Sequence, residues 1–97
     1  MKVHVGNNPD IWRIACQVLA SQGWRVRLCQ GGELRGYKNA DLLSWGEEIR
    51  MVLAGGELEV TAWPVIGLSA LQRHRANTLG KRVCRALEEA LSASQQG

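Results

Sequence analysis

Polar and apolar residues alternate along Lys2-Val3-His4-Val5, the period of a strand buried on one side. Gly6-Asn7-Asn8-Pro9 interrupts that period and opens a helix, with Asn8 as N-cap, Pro9 at the first helical position and Asp10 at the positive end of the dipole. Ile11, Ile14, Ala15, Val18 and Leu19 recur at the spacing of one helix face, and Gly23 ends the helix. Alternation returns in Trp24-Arg25-Val26-Arg27-Leu28-Cys29, which turns Trp24, Val26 and Leu28 inward. Gln30-Gly31-Gly32-Glu33 predicts a tight hairpin, and Leu34-Arg35-Gly36-Tyr37 a short returning strand.

Beyond Tyr37 the spacing changes. Asn39 can cap a second predicted helix, with Asp41 in its first turn and Leu42, Trp45, Ile49, Val52 and Leu53 on one face. Gly46 inside that helix costs about 1 kcal/mol against Ala, and Gly55-Gly56 ends it. Glu57-Leu58-Glu59-Val60-Thr61-Ala62 alternates again until Trp63-Pro64. Helical sequence fills the segment 67–93, where Leu68, Leu71, Leu79, Val83, Leu87 and Leu91 fit one long helix or two joined near Ala76-Asn77-Thr78.

The predicted order is a βαββαβ core over residues 1–63 followed by the helical segment, all within a single domain, 1–97. Strands covered on both faces read as continuous apolar runs, whereas these alternate and leave one sheet face polar. The fold class expected is therefore α+β, a two-layer sandwich of ferredoxin-like topology with strand order 4-1-3-2 and an additional C-terminal helix. Its open face would carry Glu57, Glu59 and Thr61, then Lys2 and His4, then Arg35 and Tyr37, then Arg25, Arg27 and Cys29.

Composition narrows the class. Apolar content of 45% and charged content of 22% belong to an ordinary globular chain. No apolar run approaches the ~20 residues of a membrane span, and Lys2 is followed by no long apolar segment of the secretory kind. Cys16, Cys29 and Cys84 are odd in number and widely spaced, which argues against a disulfide framework and favours a reducing, cytoplasmic setting. The net charge of +3 hides a segregation. Between Val60 and Leu87 stand Arg73, Arg75, Lys81, Arg82 and Arg85 with no Asp or Glu, while the other seven Lys/Arg face nine Asp/Glu. Such sorting makes a local field for an acidic partner.

These residues, with Arg25, Arg27 and Arg35, are the candidate site. On a helix His74, Thr78, Lys81 and Arg85 share a face, with Arg75 and Arg82 nearer the apolar stripe. The expectation is a small non-catalytic protein that holds nucleic acid through the basic C-terminal helix. The alternative is an adaptor, inhibitor or subunit that meets an acidic protein surface by the same charges, and a homodimer through open sheet edges is compatible with both.

Val3-His4-Val5-Gly6-Asn7 resembles the first-strand motif of RNA-recognition domains, and Arg35-Gly36-Tyr37 resembles the opening of their other motif. His4 stands where an aromatic is usual, and Lys38-Asn39-Ala40 replaces the Gly-Phe-Val run, so the likeness stops after about eight residues and assigns no family. The Gly6–Asn8 turn can receive an anion but lacks a phosphate-loop pattern. His4 and Cys29 lack a second ligand pair, and Glu47-Glu48 and Glu88-Glu89 point to different sides of a helix. No cofactor, metal or catalytic residue is expected.

Overall fold

The computed structural model describes residues 1–39, 46–66 and 70–96, the side chains of 94–96 excepted. Its elements are β1 (Lys2–His4), α1 (Ile11–Ser21), β2 (Arg25–Gln30), β3 (Glu33–Lys38), β4 (Glu47–Ala54), β5 (Glu57–Pro64) and α2 (Ala70–Gln96). The architecture is α+β, with both helices on one face of a five-stranded antiparallel sheet. Among the described residues no helix is long and apolar enough to cross a membrane.

Residues 47–54 form a strand where helical spacing predicted a helix. Asp41, Leu42 and Trp45 lie outside the described residues. Ile49, Val52 and Leu53 do not share a face: Ile49 is buried toward the helices, while Val52 stands on the opposite side in register with Glu33 and Glu59. Glu, Arg, Met and Leu are good helix formers, which favours the helical reading locally. Pairing decides otherwise, because β4 hydrogen-bonds to β3 on one edge and β5 on the other and so satisfies its backbone on both sides. Gly55-Gly56 is the hairpin turn between β4 and β5, with φ of 59° and 77°, values that suit the tight turns matching strand twist. Gly31 and Gly32 do the same between β2 and β3, as the sequence predicts.

The extra strand changes the topology. The sheet runs β1-β5-β4-β3-β2, not in the ferredoxin-like order 4-1-3-2. β1 sits at an edge, every neighbouring pair is antiparallel, and the βαββαβ order behind the likeness to RNA-recognition domains is gone. β3, expected to be short, is a six-residue interior strand.

At the other edge β2 carries a bulge. Val26 pairs with Gly36 and Leu28 with Arg35, so Arg27 is the extra residue between them. Past it the phase of the strand reverses. Leu28, expected inward, lies with Arg35 on the open face, and Cys29, expected on that face, stands opposite buried Leu34. Val26 keeps the helix side but remains 41% exposed at the edge.

The helix layer follows its periodicity. Ile11, Ile14, Ala15, Val18 and Leu19 of α1 are buried. The helix starts later than Pro9, with Asp10 at the N-cap position and the Asn8 side-chain oxygen accepting from the Asp10 backbone N–H at 2.9 Å. α2 is one 27-residue helix lying beside α1, with Ala76, Leu79, Val83, Leu87 and Leu91 buried. Leu71, expected in that stripe, is 78% exposed, and Leu68 lies outside the described residues. Gly80 lets α2 approach β5: a Cβ there would come within 2.6 Å of the Met1 side chain and 3.1 Å of the Ala62 Cβ.

The register of β4 is open to a direct check. Met51→Ala should lower the unfolding free energy in urea by roughly 2–5 kcal/mol, the usual cost of truncating a large core side chain. Val52→Ala, on the partly covered outer face, should cost clearly less. Equal losses would contradict the alternating strand.

Candidate anion-binding cleft

Lys38 ends β3 on the helix side of the sheet, in register with Glu47. Its ammonium donates to the Gln22 carbonyl at 2.8 Å and lies 5.7 Å from the centroid of the buried Trp24 ring. Gln22 in turn donates from Nε2 to the Arg82 carbonyl at 3.2 Å, tying the end of α1 to α2. Across from Lys38, α2 presents His74, Arg75, Thr78, Leu79 and Arg82. Together they line a cleft of about 380 Å³. The Thr78 hydroxyl donates back to the His74 carbonyl at 2.9 Å.

Among the described residues one acid lies beneath this cluster. Glu47 is 1% exposed, and its Oε1 accepts from Arg75 Nε at 2.9 Å. Its other oxygen, Oε2, is buried with no hydrogen-bond partner among the described residues. A charge taken out of water needs its counter-charge, so Arg75 is held to Glu47 first and faces the cleft second. Glu47 thus offsets Arg75, one of the three cations around the cleft with Lys38 and Arg82.

The remaining cations of α2 face water. Lys81, Arg82 and Arg85 are exposed, and among the described residues none of them is held in an ion pair, Glu88 and Glu89 included. Arg73 is exposed near the start of α2, away from the cleft lining.

Arg25, Arg27 and Arg35 stand on the opposite surface of the molecule, the open sheet face. Arg27 lies 4.4 Å from the Tyr37 ring centroid and 3.7 Å from Glu48. Glu33 accepts from Arg35 at 2.6 Å and from Arg50 at 2.8 Å. The Arg35 hydrogen bond, supported by that of Arg50, holds the Glu33 carboxyl below its ordinary value. The stability this contributes is present above the ordinary carboxylate range and is lost as pH falls through the lowered value, and at such exposure it is small.

The candidate residues therefore divide into two groups that cannot grip one ligand together. Lys38 was missed, because with β4 read as a helix nothing aligned the end of β3 with Glu47 and α2. A signal existed: Glu47 falls in phase with Ile49 and Met51 in the alternation of β4. His4 and Cys29 stand on opposite edge strands, and among the described residues no three His, Cys, Asp or Glu side chains gather to hold a metal ion. The recess around Gly6–Asn8 includes Asp10, whose carboxylate already occupies the positive end of α1 and pairs with Arg13 at 3.3 Å.

No protein-family model matches the chain, and no curated protein is similar to it at a significant level.

The Glu47–Arg75 pair yields a stability prediction. Arg75→Met should destabilise the fold by about 3 kcal/mol, the low end for breaking a buried pair because Arg75 keeps partial access to water. Lys81→Met, at an exposed position, should stay within about 0.5 kcal/mol of wild type. Chemical denaturation of both variants at neutral pH makes the comparison.

Proposed function

We propose that the protein is a non-catalytic binding module that holds nucleic acid by its phosphates on the basic side of α2, with one phosphate seated between Lys38 and Arg82. The observation that carries this reading is the convergence of Lys38 with Arg75, Arg82 and His74 around one cleft, next to the exposed Lys81 and Arg85. Phosphates need donors and positive charge, and Lys81, Arg82 and Arg85, held in no ion pair among the described residues, supply both. The cations of the sheet are poorer candidates, since Arg27 and Arg35 already have Glu48 and Glu33 beside them. Nothing in the cleft lining reads a base edge in an evident way, so the binding expected is governed by charge and shape more than by sequence.

Fluorescence anisotropy with labelled RNA and DNA over a salt series tests the reading. Each phosphate contact contributes about 0.7–0.9 to the slope of log affinity against log salt. Replacing Lys81, Arg82 and Arg85 together with Gln should weaken binding of every sequence and flatten the slope by roughly 2. Replacing Arg25, Arg27 and Arg35 with Gln should leave both nearly unchanged. An unaffected α2 variant, or no binding by wild type at low salt, overturns the proposal and favours an acidic protein surface as the partner.

A further inference from the structure

The bulge in β2 also brings two thiols together. A regular strand that turned Val26 toward the helices would turn Cys29 away from them. With Arg27 inserted, Val26 and Cys29 both take the helix side, opposite Gly36 and Leu34 respectively. α1 packs against β2, and its Cys16, half-buried against the core, neighbours the Cys29 thiol. Both are free thiols; Cys29 is exposed, whereas Cys84 is buried in the apolar stripe of α2.

We propose that Cys16 and Cys29 form a redox-active dithiol that a low-molecular-weight disulfide converts into an intramolecular disulfide, tying α1 to the edge strand β2. The asymmetry of the pair sets the order of events. Cys29, open to solvent, attacks one sulfur of oxidised glutathione as its thiolate; the glutathione S–S bond breaks, and one glutathione leaves and takes up a proton. Cys16 then attacks the Cys29 sulfur of the mixed disulfide, its proton passing to the second glutathione as that leaves. Two protein thiols are oxidised by two electrons, and one glutathione disulfide is reduced to two thiols. Burial first, and then the neighbouring Cys29 thiol, push the Cys16 thiol above its ordinary value, which suits a resolving role more than an entry role. The loop closed in this way, residues 16–29, includes Gln22 and Trp24, against which Lys38 rests. The disulfide thus braces one wall of the cleft, and its formation does not depend on what the cleft binds.

The test uses the folded full chain in buffers of graded oxidised-to-reduced glutathione, read by intact mass, peptide mapping and alkylation after denaturation. The expected product has lost two hydrogens, contains a peptide joined through Cys16 and Cys29, and keeps Cys84 alkylatable. A cross-link over a loop of this length should reduce the unfolding equilibrium constant in urea on the order of a hundredfold relative to the reduced protein. Cys16→Ser should stop at a glutathione adduct on Cys29, and Cys29→Ser should stay reduced at Cys16. A wild-type product that stops at the Cys29 adduct, a bridge that includes Cys84, or no oxidation at ratios that oxidise ordinary dithiols would each overturn the proposal.

Discussion

Both helices cover the same face of the sheet, and that single-sided cover is the constraint from which the rest follows. A sheet buried on one side obliges every strand to turn one set of alternate residues toward the helices and the other toward water. A shift of one residue exchanges the two sets completely, so phase is under strong selection wherever a core must form. The interior rows show the outcome: Leu34, Met51 and Val60 lie side by side across β3, β4 and β5, and Gly36, Ile49 and Ala62 form the next row. Outside them run Arg35, Arg50 and Thr61, then Glu33, Val52, Glu59 and Lys2. Only β2, at an edge and free of a second neighbour, changes phase midway.

The same division sorts the charge. On the open face acids and bases alternate closely enough to neutralise one another, as Glu33 does with Arg35 and Arg50 and Glu48 with Arg27. On the helix side the one buried acid among the described residues, Glu47, is engaged by Arg75, and Lys81, Arg82 and Arg85 are held in no ion pair among those residues. A modest net charge of +3 is therefore concentrated on one surface of the molecule. The two sheet edges are guarded: β1 is three residues long, and β2 is bulged and carries Arg25 and Arg27, devices that discourage strand addition.

Much of the fold was legible in the sequence because local patterns agreed with tertiary need. Ile11 to Leu19 at helical spacing, Glu57 to Ala62 in strict alternation and Gly31-Gly32 between two short runs each had one reading that buried an apolar face. Residues 47–54 had two. Ile49, Val52 and Leu53 fit a helix face, while Glu47, Ile49 and Met51 fit a strand face, and helix-forming side chains favoured the first. Gly55-Gly56 served either reading, as a helix end or a hairpin turn, and so could not arbitrate.

What the sequence determined by itself was the α+β class, the alternating polar face, the amphipathic α1 and α2 and the absence of acids among the cations of α2. All of these are properties of near neighbours in the chain, where periodicity and charge are directly visible. The tertiary structure alone decided that β4 enters the sheet between β3 and β5, that Lys38 joins Arg82 across a cleft, that Arg27 and Arg35 face the opposite side, and that a bulge turns Cys29 to the helix side. Each of these depends on which distant segment supplies hydrogen bonds or cover, and a backbone group satisfied by a partner tens of residues away leaves no mark in its own neighbourhood.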